Sequence, residues 1–269
     1  MQCVGPSGLV PFGPIETQFA QALRTGMENT LFIALSRQLT VRRQLDTVAN
    51  NLANANTAGF KAERLMFVEY LSKSPDGKQQ MHFVQDLASA RDNSPGDYQK
   101  TGNPLDLAIE GRGWFTVEGK NGETRYTRDG HFRMNQEGQL ITRDGFPVLG
   151  DGSNPIVFQP TDQDITVRAD GTIRAGTVTR GKLKIVEFDN LYKMKKVEGN
   201  LYLPGGEPQE PKDSSVVQGM IEGSNVKPIL EITEMMRALR SYQGAAKLID
   251  TEHERERRMI DRMTRDNSQ

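Results

Sequence analysis

An apolar seam at each end of the chain constrains this fold more than any other feature of the sequence. Leu31, Ala34, Val41, Leu45, Val48 and Leu52 follow one another in steps of three and four, with Gln38 the one break in the row. That spacing puts them on one stripe of an α-helix, at the a and d positions of a heptad. Arg37, Arg42, Arg43 and Asp46 fall on the other faces, and neither Pro nor Gly occurs between Glu28 and Ala58. A helix of roughly 40 Å is predicted from about Met27, at about 1.5 Å per residue. Asn54, Asn56, Thr57 and Gly59 mark its end, the glycine suiting a left-handed cap.

The far end repeats the pattern. Ile232, Met235, Leu239, Tyr242, Ala246, Ile249, Ile260 and Met263 keep similar steps, interrupted at His253 and Glu256, and Pro228 stands where it can open a helix. Glu254 with Arg258 and Asp261 with Arg265 are spaced to form helical ion pairs, each contributing about 0.2 to 0.5 kcal/mol. One amphipathic helix alone is ordinarily a core element. Two matching stripes at opposite termini predict that the ends meet each other or the ends of neighbouring molecules.

Between the seams the character is β. Segments such as 105–109, 114–118, 156–158, 165–168 and 183–188 are apolar or alternating, and Asn121-Gly122, Asp129-Gly130, Asp144-Gly145, Asp151-Gly152 and Asp170-Gly171 punctuate them. Short strands joined by such pairs predict an antiparallel, hairpin-rich domain. The fold class is therefore α+β, with long N- and C-terminal coiled-coil-type helices flanking a central all-β domain. The expected divisions are an extension without a fold at 1–26, the first helix and its end at 27–68, a linker with extended structure at 69–100, the β domain at 101–220 and the last helix at 221–269.

Composition removes several function classes. The 34 Lys+Arg against 35 Asp+Glu give a formal net charge of -1, so no bulk positive field is available for nucleic acid or anionic membrane. Apolar runs stop short of a membrane span. The single cysteine, Cys3, excludes an intrachain disulfide and a thiolate cluster. Residues 1–26 have no cation before Arg24 and are interrupted by Pro and Gly, unlike a secretory signal.

Candidate chemical sites fail on inspection. GTVTRGKL, residues 176–183, has phosphate-loop spacing, but Leu183 replaces the hydroxyl residue that would hold magnesium and the following KIVEF alternates as a strand. Gly111-Arg112-Gly113 has Thr116 where a dinucleotide fingerprint needs a glycine and reads as a tight turn. His82, His131 and His253 stand outside metal-ligand spacing, and turns account for Asp129, Asp144 and Asp170. No catalytic, cofactor or metal residue is assigned. Trp114 reads as a core or interface anchor.

Three blocks point to a family. ANNLANANTAGFK, residues 49–61, strongly resembles the signature of flagellar rod and hook proteins; TGNPLDLAIEGRGWFTV, residues 101–117, leading into RYTRDGHFRMNQEGQL, and EGSNVKPI, residues 222–229, agree in order. The Asn side chains of the first block can bond backbone where a long helix must stop and turn. The opening MENTLF and the closing EMMRALRSYQGAAKLID look most like proximal-rod members, with distal-rod members the nearest rivals.

The resemblance implies a non-enzymatic structural subunit of the periplasm-spanning basal-body rod, exported through the flagellar type III apparatus and added under a rod cap. Its partners would be other rod proteins and copies of itself, without nucleic acid or cofactor. The implied assembly residues are Leu31, Ala34, Val41, Leu45, Val48 and Leu52; Asn50, Asn51, Asn54, Gly59 and Phe60; and Ile232, Met235, Leu239, Tyr242, Ile249 and Ile260. Two other classes stand beside this reading, a cell-wall enzyme with a carboxylate pair on a coiled-coil stalk and an adhesin-like binding module.

Overall fold

The computed structural model describes residues 14–73, 80–162 and 164–266, without the side chains of 14–31, 67–73, 80–88, 263 and 266. Two helices bracket the described chain, α1 (Pro14–Ala53) and α2 (Pro228–Asp266), with strands between them. The chain divides into two compact units. The first takes α1 up to Asp46, the segment Phe67 to Leu87 and α2 from Met236; the second takes Thr47–Met66 and Ala88–Met235.

Helix α1 begins at Pro14, not near Met27, so the expected foldless extension is corrected for residues 14–26. Pro14 supplies a preset φ at the first helical position. Gly26 inside a helix costs only about 0.5 to 1 kcal/mol relative to Ala and need not end it. Residues 1–13, the rest of that extension, lie outside the described residues. The covered stripe of α1 carries Ala34, Val41 and Val48, at seven-residue intervals, with Leu45 and Leu52 half-buried.

On α2 the stripe covered within the chain lies beside the seam read from the sequence. Ala238 and Ala245 are its buried centre, flanked by half-buried Met235, Tyr242 and Ile249. Ile232, Leu239 and Ile260 stand exposed on the next row. Alanine lets a helix approach its neighbour closely, so the stripe covered within the chain centres on small residues beside the seam of larger ones. Pro228 opens α2 as predicted, Glu231 sits favourably in its positive first turn, and Arg258 donates to Glu254 at 3.1 Å.

The extended structure expected at 69–100 takes the form of paired strands. Glu63–Lys73 and Gln80–Arg91 pair as a two-stranded sheet. Both strands carry β-branched and aromatic residues such as Phe67, Val68 and Tyr70, or Phe83 and Val84.

The second unit is built around a five-stranded sheet ordered Ile185–Val186, Trp114–Glu118, Thr124–Thr127, Tyr202–Leu203, Lys195–Lys196. Alternation along Trp114–Glu118 feeds two cores. Phe115 and Val117 join Leu107, Ile109, Phe132, Leu140 and others, while Trp114 joins Tyr126, Val186, Phe188, Met194 and Tyr202. Hairpins turn at Asn121-Gly122 and Asp170-Gly171, where the glycines take φ of 73° and 83°. The phosphate-loop look-alike forms a turn and the strand Val178–Lys182, not a helix start.

Tyr202 is fully buried, edge-on to Trp114 at 5.0 Å with the Arg91 guanidinium 4.4 Å from its ring centre. Burial pushes its phenol pKa up to about 12. A folded pKa above the unfolded value near 10 gives stability that is complete below about pH 10 and lost as pH rises toward 12, roughly 2 to 3 kcal/mol in all. Urea midpoints measured from pH 9 to 11.5 should therefore fall more steeply for the wild-type chain than for Tyr202→Phe. Parallel slopes would contradict the assignment.

Candidate functional site

The end of α1, the turn after it and the segment entering α2 meet within the second unit. After Ala53 the helix tightens, Asn54 N–H bonding to the carbonyls of Asn50 and Asn51 at 3.2 and 3.1 Å. Asn54 Nδ2 donates to Asn50 O at 2.8 Å, and Thr57 Oγ1 to Asn54 Oδ1 at 3.2 Å. The asparagines thus replace bonds that the helix end would leave open. Asn51, buried, acts like a strand residue: Oδ1 accepts from Glu63 N at 3.0 Å and Nδ2 donates to Glu63 O at 2.8 Å. The same Nδ2 lies 3.3 Å from Glu231 Oε2 in the first turn of α2.

Gly59 follows with φ of 65°, and a Cβ there would stand 2.5 Å from Arg128 C and Asp129 N. Both facts require glycine. Gly59 N donates to Glu222 O at 2.7 Å, and Asn200 Nδ2 donates to Ala58 O at 2.8 Å. Phe60 and Ala62 bury against Val226 as a third, small apolar cluster, with Lys196 Nζ 4.1 Å from the Phe60 ring centre. Asn225 closes the segment, accepting from Ala62 N at 2.7 Å and donating to Asp92 O at 2.8 Å.

At the centre Glu222, with no exposed surface, faces two cations. Lys61 Nζ lies 2.5 Å from Oε1 and Arg128 Nη1 3.2 Å from Oε2, and Gly96 N donates to Oε1 at 3.1 Å. Lys61 also donates to Ser94 O at 2.8 Å, and Arg128 to the carbonyls of Ile109 at 3.1 Å and Gly111 at 2.5 Å. Burial holds the Lys61 pKa below its ordinary range, an effect the Glu222 carboxylate opposes. Burial likewise lowers that of Arg128, again opposed by Glu222. The geometry is that of a structural clasp, since every oxygen of Glu222 is turned toward a fixed donor.

The assembly residues read from sequence fall into three classes of exposure here. Ala34, Val41, Val48, Asn51, Gly59 and Phe60 are covered by the single chain, which makes them part of its own packing. Asn50, Ile232, Leu239 and Ile260 are exposed; Leu45, Leu52, Asn54, Met235, Tyr242 and Ile249 are intermediate. The side chain of Leu31 lies outside those described. Sequence reading assigned no role to Lys61, Arg128, Glu222 or Asn225. Their signal was present as charged and amide residues inside the three family-like blocks.

Three family models match the chain: "Flagella basal body rod protein" over residues 31–61, "Flagellar hook protein FlgE/F/G D1 domain" over 108–175 and "Flagellar basal body rod FlgEFG protein C-terminal" over 217–262. The flagellar basal-body rod protein FlgF of Caulobacter vibrioides is 43% identical over 88% of this chain and 98% of its own length. FlgF of Mesorhizobium japonicum is 34% identical over 83% and 92%, and the rod protein FlgG of Agrobacterium fabrum 35% over 83% and 95%.

The clasp makes a graded prediction for urea unfolding. Glu222→Ala leaves two buried cations without their anion and should cost about 3 to 5 kcal/mol. Lys61→Met keeps Glu222 paired with Arg128 and should cost less, about 1 to 3 kcal/mol. The reverse order would mean that Glu222 does not hold the junction.

Proposed function

We propose how this chain assembles from one premise: it belongs to the flagellar basal-body rod proteins. It is a structural subunit of the bacterial flagellar basal-body rod, a counterpart of the FlgF proteins of the proximal rod, and it resides in that rod. Other rod components are its partners. Among the described residues no helix is long and apolar enough to cross a membrane.

The observation that carries the mechanism is the pair of exposed apolar rows on the terminal helices. Phe32, Ile33, Leu35 and Leu39 stand out from α1, and Ile229, Leu230, Ile232, Met236 and Leu239 from α2, with Ile229 80% exposed. Covered stripes at Ala34, Val41 and Val48 and at Ala238 and Ala245 suit pairing of the two helices as a coiled coil within one subunit. The exposed rows then meet neighbouring subunits. Two unlike patches allow the heterologous contacts that a helical shaft requires. Covering each such side chain contributes roughly 1.5 to 3 kcal/mol before ordering entropy is subtracted.

The chain travels unfolded through the flagellar type III export apparatus and joins the rod under its cap, transmitting torque without catalysing a reaction. Its one cysteine leaves no intrachain disulfide to be opened before threading.

Ile232→Asp combined with Leu239→Asp should test the assembly surface, since both positions are exposed and neither lies in the β cores. The double variant should be exported and keep the wild-type melting transition of the β unit, yet leave cells without completed rods or hooks. Normal rods built from the exported variant would overturn the mechanism.

A further inference from the structure

We infer that the Lys61, Glu222 and Arg128 cluster is a closing latch: segment 58–62 docks only after the strand Met220–Glu222 and Asn225 are in place, so the end of α1 is anchored last. The first support is where the bonds come from. Gly59 N donates to Glu222 O and Asn225 N to Phe60 O at 2.7 and 3.3 Å, Ala62 N donates to Asn225 Oδ1 at 2.7 Å, and Lys61 reaches Glu222 across 161 residues of sequence. Closing so long a loop has an entropic cost that must be met by contacts already formed.

Charge supplies the order. Arg128 follows the strand Thr124–Thr127 and is fixed by the carbonyls of Ile109 and Gly111, all parts of the β unit. Without Glu222, docking Lys61 beside it would bring two cations together out of water, where like charges repel strongly. Lys61 is therefore held off until the one carboxylate that faces both has arrived. The β cores do not wait for it: they draw on residues from Leu107 to Val216, and Phe60, Ala62 and Val226 form a cluster of their own.

For assembly, a consequence that rests on the proposed rod function, a subunit delivered as an unfolded chain would not fix its first helix before its β unit is complete. The latch itself is a property of folding and is tested without rods.

Pulsed hydrogen exchange during refolding of the full chain, read by mass spectrometry, follows each segment. In the wild type, 59–62 should gain protection after 222–223, whose amides belong to the strand and its bond to Asp97 O, and after 114–127. Glu222→Gln should lower native-state protection at 59–62 at least tenfold and leave 114–127 unchanged. Should Glu222→Gln also lose 114–127, Asn225→Ala provides the second reading, with tenfold loss at Ala62 alone expected. Protection of 59–62 before or together with 222–223, unchanged protection in Glu222→Gln, or collapse of 114–127 in both variants would overturn the latch.

Discussion

One buried carboxylate, that of Glu222, sets the conditions for the rest of the junction. An ion taken out of water must be matched nearly donor for donor, and here Lys61, Arg128 and Gly96 N supply the match. Because Lys61 is anchored, the residues before it have little freedom. Gly59 must pass against the backbone of Arg128 and Asp129 in a left-handed conformation, and Asn51 must turn its amide onto Glu63. The end of α1, the entry to the first strand and the approach to α2 are thus fixed by one charge cluster and the amides around it.

The sequence made the periodic parts legible. Long terminal helices follow from apolar steps of three and four, and the hairpin domain from Asx-Gly pairs between short apolar runs. It was less informative where alanine decides packing. Ala238 and Ala245 form the buried centre of α2's stripe, but their small side chains carry little hydrophobic signal beside Leu239 and Ile232. The early start of α1 escaped for the opposite reason, since Gly26 and Pro14 are read as breakers yet are tolerated at these positions.

The clasp was legible only as vocabulary. ANNLANANTAGFK and EGSNVKPI both stand out, and the resemblance placed them correctly in one family, but no spacing rule joins Lys61 to Glu222. Pairing across that separation is decided by the fold of the intervening β unit, and a single ion pair leaves no periodic trace. The asparagines could be read as helix-end residues, as Asn54 proves to be, whereas the strand-like role of Asn51 needed the position of Glu63.

In the proposed assembly the apolar residues of the terminal helices divide between two tasks. Those on the covered stripes and in the small cluster around Phe60 are buried within one chain, and those left exposed on α1 and α2 are the ones the proposed assembly uses to join it to others. Electron cryo-microscopy of basal bodies purified from cells carrying this chain tests that division most directly. Phe32, Leu39, Ile232 and Leu239 should be covered by neighbouring subunits, with Lys61 and Glu222 paired inside each subunit. A map in which those apolar rows face solvent while subunits join through their β units would contradict it.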